Sequence, residues 1–176
     1  AMFTVFTYIA PILHSEAQAS TTFITVMLVL FGIGLTLGNV WGGKAADRSV
    51  DRTLIVSLAV LIAVLLVFPL LMPWSLPTAL AVLVWGAASF ALVPPLQMRV
   101  MEAAKDAPNL ASAVNIGAFN LGNAIGAALG GAVINAGLGY PAISLAGALM
   151  AGLGLLMVLA FAWRARGVAA SKAALV

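Results

Sequence analysis

The most polar stretch of the chain reads Gly43-Lys44-Ala45-Ala46-Asp47-Arg48-Ser49-Val50-Asp51-Arg52. It holds five of the thirteen charged residues and separates two apolar stretches, 21–41 and 54–72. Both are close to the roughly 20 residues that an α-helix needs to cross the hydrocarbon core of a bilayer. Residues 43–52 are therefore expected to form a polar loop between two membrane spans.

The composition of the whole chain points the same way. Of its 176 residues, 64% are hydrophobic and 7% are charged, whereas roughly 25% are charged in an ordinary globular domain. So few charges cannot cover the surface of a soluble domain, and a disordered chain would need low hydrophobicity. The composition predicts an all-α integral membrane protein whose apolar exterior faces lipid.

Three further apolar stretches are long enough to be spans, at 78–96, 110–136 and 142–163. Residues 1–13 are also apolar, but at 1.5 Å per residue they reach about 20 Å, which is short of the roughly 30 Å core. We therefore expect six spans of which the first, 1–13, is truncated. Residues 1–176 would then form a six-helix unit of a longer protein whose N-terminal half is absent.

The basic residues predict the orientation of these spans, because all eight lie on alternate connections or in the tail: Lys44, Arg48, Arg52, Arg99, Lys105, Arg164, Arg166 and Lys172. By the positive-inside rule those connections and the C-terminus face the cytoplasm. His14 and Glu16 would lie at the opposite face, and Trp41, Trp74 and Trp163 mark span ends, where aromatic residues are enriched. The cations are dispersed, so no patch for nucleic acid is expected.

Two predicted spans carry glycine at every fourth position, a spacing that puts small residues on one helix face and lets membrane helices pack closely. These glycine ladders are Gly34, Gly38 and Gly42 in the second span, and Gly122, Gly126 and Gly130 in the fifth. Because three spans separate the ladders, the second runs in the opposite direction through the membrane. This pattern predicts a 3+3 inverted repeat, which is typical of transporters.

The polar loop resembles the cytoplasmic loop signature of the major facilitator superfamily, Gly-x-Leu-x-Asp-Arg-x-Gly-Arg-Arg. Gly43, Asp47, Arg48 and Arg52 match the signature in place. The loop departs from the signature at Ala45, Val50 and Asp51. These departures fit the weaker copy of the signature that lies between helices 8 and 9 of that superfamily. The resemblance implies that the six spans are helices 7 to 12, the C-terminal half of a twelve-helix fold.

Two further segments resemble one branch of the superfamily, the drug/proton antiporters and especially the arabinose-efflux-like permeases. Residues 109–141, with Ala111-Ser112-Ala113-Val114-Asn115 and Ala118-Phe119-Asn120-Leu121-Gly122-Asn123, look like helix 11 of that branch. Residues 3–11, Phe3-Thr4-Val5-Phe6-Thr7-Tyr8-Ile9-Ala10-Pro11, look like helix 7. The resemblance therefore covers nearly the whole chain, and it does not define the substrate.

For the polar loop, the resemblance implies a conformational latch of the outward-open state, formed by Gly43, Asp47, Arg48, Arg52 and Arg99. A carboxylate at Asp47 could cap the N-terminus of an adjacent helix, where the macrodipole favours negative charge. Arg99, at the inner end of the fourth span, is the expected partner of Asp47. The alternative is a solvated turn that obeys the positive-inside rule.

Polar side chains inside the spans are candidates for a substrate cavity, because an unpaired amide in hydrocarbon costs several kcal/mol. In this superfamily the first helix of each three-helix unit lines the cavity, which implies Thr4, Tyr8, Trp85 and Ser89. Trp85 could instead be plain packing. The amides Asn115, Asn120 and Asn123 are a second set, either substrate contacts or interhelical hydrogen bonds. Pro94-Pro95 should kink the fourth span.

Charged residues are absent from all six predicted spans. Buried ionisable groups mark proton relays, so we expect the coupling carboxylate in the absent N-terminal half. We predict a secondary active transporter of the bacterial inner membrane that exports a small organic compound, drug-like, sugar or nucleoside, in exchange for protons. It would contact lipid and substrate and need no cofactor or metal. The alternative is a membrane scaffold or a channel. An enzyme is disfavoured because the chain has one histidine and no cysteine.

Overall fold

A computed structural model describes residues 1–16 and 20–173 of the chain, which fold into helices joined by short turns. In chain order these are α1 (Met2–Phe6), α2 (Ile9–Glu16), α3 (Thr21–Ala46), α4 (Val50–Leu71), α5 (Ser75–Phe90), α6 (Val93–Ala103), α7 (Pro108–Asn135) and α8 (Pro141–Ala173). Within the described residues, five helical stretches are long and apolar enough to cross a bilayer: Thr21–Ala46, Val50–Leu71, Ser75–Ala103, Pro108–Asn135 and Pro141–Arg164. They correspond to the predicted second to sixth spans.

The helices at the polar loop are longer than the apolar stretches. Helix α3 continues to Ala46 and α4 already begins at Val50, so that the turn is only residues 47–49. The side chain of Ser49 accepts a hydrogen bond from the backbone N–H of Arg52 at 3.3 Å and caps α4. Helical hydrogen bonding therefore extends into the polar ends, which hydropathy alone does not reveal.

Proline interrupts the first and the fourth span at matching places. The ring of a helical proline clashes with the carbonyl four residues before it. Thr7, the C-cap of α1, lies four residues before Pro11. Ala91, the C-cap of α5, lies four residues before Pro95. The kink predicted at Pro94-Pro95 is confirmed, and the first span carries its counterpart.

The glycine ladder of α3 packs against α5, and the two helices run parallel. A Cβ added to Gly34 would overlap the Leu83 carbonyl, one on Gly38 the Ala87 carbonyl, and one on Gly42 would lie 2.5 Å from the Ala91 carbonyl oxygen. Gly86 of α5 completes the contact, since its Cβ would lie 2.6 Å from the Phe31 carbonyl oxygen. The two backbones therefore touch directly, as the four-residue spacing requires.

The second ladder, in α7, packs against α1 in the same parallel way. A Cβ on Gly126 would lie 3.0 Å from Thr4 Oγ1, and one on Gly130 would lie 2.5 Å from the Tyr8 ring. Gly122, the first glycine of this predicted ladder, does not take part in the contact with α1, since none of the described residues outside its own helix lies within 4 Å of its Cβ position. Helix α1 is short, so it reaches only the later part of the ladder.

Each ladder thus packs on the first helix of the other three-helix unit, α3 on α5 and α7 on α1. The third helices of the two units, α4 and α8, pack antiparallel: Gly147 lies beside Leu65, and Gly154 beside Leu58. The two three-helix units therefore run in opposite directions through the membrane, and the second helix of each packs on the first helix of the other. This arrangement is a 3+3 inverted repeat. The fold is the all-helical membrane bundle that the sequence predicted, and five of its helical stretches are long and apolar enough to cross a bilayer.

An aromatic column joins four of the helices in the core. The ring centroids of Phe6 and Phe31 lie 4.9 Å apart, those of Phe31 and Trp85 4.5 Å, and those of Trp85 and Phe68 6.2 Å. These side chains come from α1, α3, α5 and α4. Aromatic contacts at such distances add to the packing of buried surface.

Candidate functional site

At one end of the bundle α3, α6 and the membrane part of α8 finish, and α4 and α7 begin. We call this end the basic end. It carries the cations Lys44, Arg48, Arg52, Arg99, Lys105 and Arg164. The side chains of Arg166 and Lys172, like that of Glu16 at the opposite end, lie outside the described part of the chain. Asp47, Arg48 and Arg52 are exposed, and Gly43 lies in the last turns of α3.

An ion pair at the basic end joins α4 to α6, between Asp51 and Arg99. The expected pairing of Arg99 with Asp47 is therefore wrong. Asp51 lies in the first turn of α4 and faces α6, whereas Asp47 follows the last residue of α3. The expectation that Asp47 caps a neighbouring helix is also wrong for α4, because Ser49 provides that cap. Asp51 is one of the three positions at which the loop departs from the superfamily signature.

Below the ion pair, a small polar network joins α6 to α7. The Gln97 amide nitrogen donates to Ser112 Oγ at 3.1 Å, and the Asn115 amide nitrogen donates to Gln97 Oε1. Asn115 is only 9% exposed. Of the two roles open for Asn115, the structure places it in an interhelical hydrogen bond. Gln97 and Ser112 are not among the candidate residues that the sequence predicts.

Trp85 and Ser89 do not line an open cavity in this structure, contrary to expectation. Trp85 is fully buried between Phe31 and Phe68, and Ser89 is 7% exposed. They face the α3 and α4 side of α5, where the glycine ladder draws α3 close. Trp85 is therefore part of the core, as its alternative interpretation held.

Thr4 and Tyr8 both lie at the contact of α1 with α7. Thr4 is fully buried, and its hydroxyl donates to Met150 Sδ of α8 at 3.3 Å. Tyr8 is half-buried, and its hydroxyl donates to the Ala127 carbonyl at 3.0 Å. Thr4 thus serves packing, while Tyr8 remains at the edge of the contact, where a polar surface begins.

That polar surface lies on α7. At 100° per residue, Asn120, Asn123, Ala127 and Gly131 share one helix face, and the Tyr8 hydroxyl lies over its end, 2.9 Å from the Cβ position of Gly131. Asn120 is exposed and Asn123 is half-buried. We call Tyr8, Asn120 and Asn123 the polar face. The structure brings together these three candidates and separates them from Trp85 and Ser89.

Helix α3 carries a related feature that the candidate residues had omitted, the exposed Asn39. The signal is an internal repeat, because Leu-Gly-Asn occurs at 37–39 and again at 121–123. Pro11 and Pro95 are separated by the same 84 positions as these two copies. Aligning the two halves of the chain at this offset pairs Asn39 with Asn123.

Comparison with known proteins agrees with this architecture. The family model described as Major Facilitator Superfamily matches residues 1–175. The chain is 56% identical over 158 residues to "Inner membrane transport protein YdhP" of Escherichia coli K12, covering 90% of this chain and 41% of that protein.

More distant relatives match the same region. "Uncharacterized MFS-type transporter YfhI" of Bacillus subtilis is 36% identical over 156 residues, which cover 89% of this chain and 39% of that protein. A "Probable sugar efflux transporter" of Helicobacter pylori is 31% identical over 139 residues, or 78% of this chain and 36% of that protein. The chain thus spans about two fifths of the length of these curated relatives. Its extensive match to the family model and its inverted-repeat bundle identify it as a member of the major facilitator superfamily.

Proposed function

We propose that this chain is the C-terminal six-helix half of a secondary active transporter that exports a small organic compound in exchange for protons. The polar face of α7 contacts the substrate during alternating access. In this proposal the protein lies in a bacterial inner membrane, and the basic end and the C-terminus face the cytoplasm, as the positive-inside rule favours.

The observation that carries the proposal is the exposure of Asn120 near the middle of α7. An amide without partners in hydrocarbon costs several kcal/mol, so a lipid-facing position there is unfavourable. A water-filled cavity, or contact with the remaining part of the protein, removes that cost. Asn123 and Tyr8 extend the polar face with an amide and a phenol, groups that form hydrogen bonds to hydroxyl-rich or planar substrates.

The crossed helix pairs support a rocking motion. Because α3 is fixed to α5 and α7 to α1 by backbone contact, the six spans resist internal rearrangement and are suited to move as one body. Alternating access in transporters of this architecture is largely such rigid-body motion of one repeat or bundle against another. A scaffold would have no need for a polar face in mid-span, and a channel usually shows a charged ring or a carbonyl filter.

Proton coupling belongs, in this proposal, to the rest of the protein, since the apolar stretches predicted as spans contain no acidic or basic residue. The first substrate class to test is sugars, because a relative from Helicobacter pylori is named "Probable sugar efflux transporter". Drug-like compounds and nucleosides are the other classes that the polar face could accept.

The test uses everted membrane vesicles from cells that produce the full-length protein. An imposed proton gradient should drive uptake of a labelled sugar above that of vesicles without the protein, and a protonophore should abolish it. The panel contains arabinose, glucose, uridine and ethidium, so that all three substrate classes are represented. Absence of gradient-driven uptake for every compound, or a conductance that persists without the gradient, would contradict the proposal.

A further inference from the structure

A crevice opens between α3 and α4 on the outside of the bundle, with α5 as its floor. Its volume is about 370 Å³, and its walls include Leu37, Trp41, Val56, Ser57, Val60 and Ala88. The crevice exists because α5 and its C-cap contribute three alanines and only one larger side chain, Val84, while Gly38 holds α3 close to Ala87. The lining is apolar apart from Ser57, and the crevice lies in the half of the bundle next to the basic end.

Two cations lie above the crevice by helical register. Leu37, Trp41 and Lys44 follow each other at intervals of four and three residues on α3, so Lys44 is on the crevice side one turn beyond Trp41. On α4, Arg52 precedes Val56 by four residues and is on the crevice side one turn before it. Both cations are exposed.

Near the mouth of the crevice, the basic residues outnumber the acidic residues that could neutralise them. In the described part of the chain, the single ion pair joins Asp51 to Arg99, and Asp51 is thereby neutralised on the α6 side of α4. Within residues 43–52, Asp47 is then the one remaining acid beside the three cations Lys44, Arg48 and Arg52. The mouth of the crevice is therefore positive while its interior is apolar. Such a site is complementary to an amphiphile with an anionic head and an apolar tail.

Ser57 adds a polar group at an informative depth. It is 2% exposed, and its Oγ has no hydrogen-bond partner among the residues that the structure describes. Five residues separate Arg52 from Ser57, a rise of about 7.5 Å. The interfacial layer on each side of a bilayer is roughly 5–7 Å deep, so Ser57 lies just below the headgroups, where the ester carbonyls of a phospholipid are found.

The crevice faces away from the polar side of α3. Asn39 lies two residues from both Leu37 and Trp41, so it points about 160° away from each of them around the helix. An exposed amide inside a predicted span needs water or protein next to it, so the side of Asn39 is the one directed to the remaining part of the protein. The crevice side is then left to lipid, and Trp41, which is 50% exposed, suits a membrane interface.

We propose that this crevice binds one anionic phospholipid of the cytoplasmic leaflet. Its phosphate lies between Lys44 and Arg52, its ester groups lie at the depth of Ser57, and an acyl chain fills the space between α3 and α4 over Ala88. This proposal does not depend on the substrate or on proton coupling.

The charge part of the proposal is tested by native mass spectrometry of the full-length protein with added phosphatidylglycerol. One cation at a membrane surface strengthens binding of anionic lipid roughly fivefold, so Lys44→Ala/Arg52→Ala should weaken the tightest site about 25-fold. The control Lys105→Ala/Arg164→Ala removes two exposed cations from the same end but not from the crevice. Equal loss in both double variants would overturn the proposal, because it would reflect net charge alone.

The shape of the site is tested by filling the crevice from an exposed position. Val60→Trp places a large ring in the space, and Val60 is 38% exposed, so that folding should be preserved. This variant should bind phosphatidylglycerol as weakly as the charge variant. The control Leu149→Trp, at an exposed position of α8, should bind it normally. Unchanged binding in Val60→Trp, with its fold verified by its melting temperature, contradicts the proposed position of the acyl chain.

A helix from the rest of the protein is the competing occupant, and a spin label at residue 60 distinguishes it from lipid. In the full-length protein in vesicles, Val60→Cys labelled in this way should be as accessible to molecular oxygen, which dissolves in lipid, as a label at residue 149. Protection of residue 60 from oxygen while residue 149 stays accessible would show a protein cover and overturn the lipid assignment.

Discussion

Gly38 of α3 lies directly against the backbone of Ala87 in α5, so that a Cβ on Gly38 would overlap the Ala87 carbonyl. The four-residue repeat of glycine extends this contact over two further turns. We regard the α3–α5 pair as the most rigid part of the unit, because neither partner is a flexible side chain that could move aside.

Gly38→Ala should destabilise the full-length protein. Overpacking costs about 1–3 kcal/mol, against a gain of up to about 1 kcal/mol from helix propensity. The same change at Gly32, in the same helix but with nothing within 4 Å of its Cβ position, should be neutral or stabilising. Melting temperatures in detergent compare the two variants, and equal values would argue against direct backbone contact.

A second matched pair tests the contact of α7 with α1. Gly130→Ala should displace the Tyr8 ring and lower the melting temperature, since its Cβ would lie 2.5 Å from that ring. Gly122→Ala, two turns earlier in the same ladder, should have no destabilising effect because its surroundings are open. A larger loss for Gly122→Ala would show that the ladder is used differently in the complete protein.

The sequence predicted the spans and the inverted repeat well, because length, hydropathy and glycine spacing follow directly from the bilayer and from helix geometry. It predicted the partner of Arg99 incorrectly. Asp47 and Asp51 are one helical turn apart in sequence, and the choice between them depends on where α3 ends and α4 begins. Hydropathy does not locate such ends, since helices continue past the apolar region.

The candidate residues for substrate contact were harder to predict, because polarity alone does not tell a helix contact from a cavity. Asn115 and Asn120 are both amides of the same helix, yet one is buried against Gln97 and the other is exposed. Asn115 has a partner because α6, after the break at residues 91–92, brings Gln97 to it. For Trp85 the sequence leaves both interpretations open for a similar reason, since an aromatic residue fits a core and a binding site equally well.

The polar network between α6 and α7 should show a measurable coupling. Gln97→Ala leaves the buried Asn115 amide without its partner, and we expect a loss of about 1 kcal/mol, near the range found for hydrogen bonds between membrane helices. The double variant Gln97→Leu/Asn115→Leu should cost less than the sum of its single variants. Additive losses in this double-mutant cycle would contradict a direct interaction.

The two aspartates of the polar loop should differ in their effects. Asp51 and Arg99 are 38% and 35% exposed, so their ion pair should contribute at most about 1 kcal/mol to stability, and the exchanged pair Asp51→Arg/Arg99→Asp should restore it. Asp47→Asn should leave stability and membrane insertion unchanged, since Asp47 is exposed, yet it should reduce gradient-driven export in vesicles if the resemblance to the superfamily loop gives the right role. Export at the wild-type rate in Asp47→Asn would remove its role as a latch.

The exposure of Asn120 within the membrane offers the most direct test of the proposed transport function, because it does not require the substrate to be known. The full-length protein with Asn120→Cys as its single cysteine is treated with a membrane-impermeant thiol reagent, in right-side-out and in everted vesicles. We predict labelling from both sides, with rates that shift in opposite directions when a proton gradient is imposed, and no labelling of the lipid-facing control Leu149→Cys. If Asn120→Cys resists the reagent from both sides, as Leu149→Cys should, the polar face of α7 does not line a transport pathway.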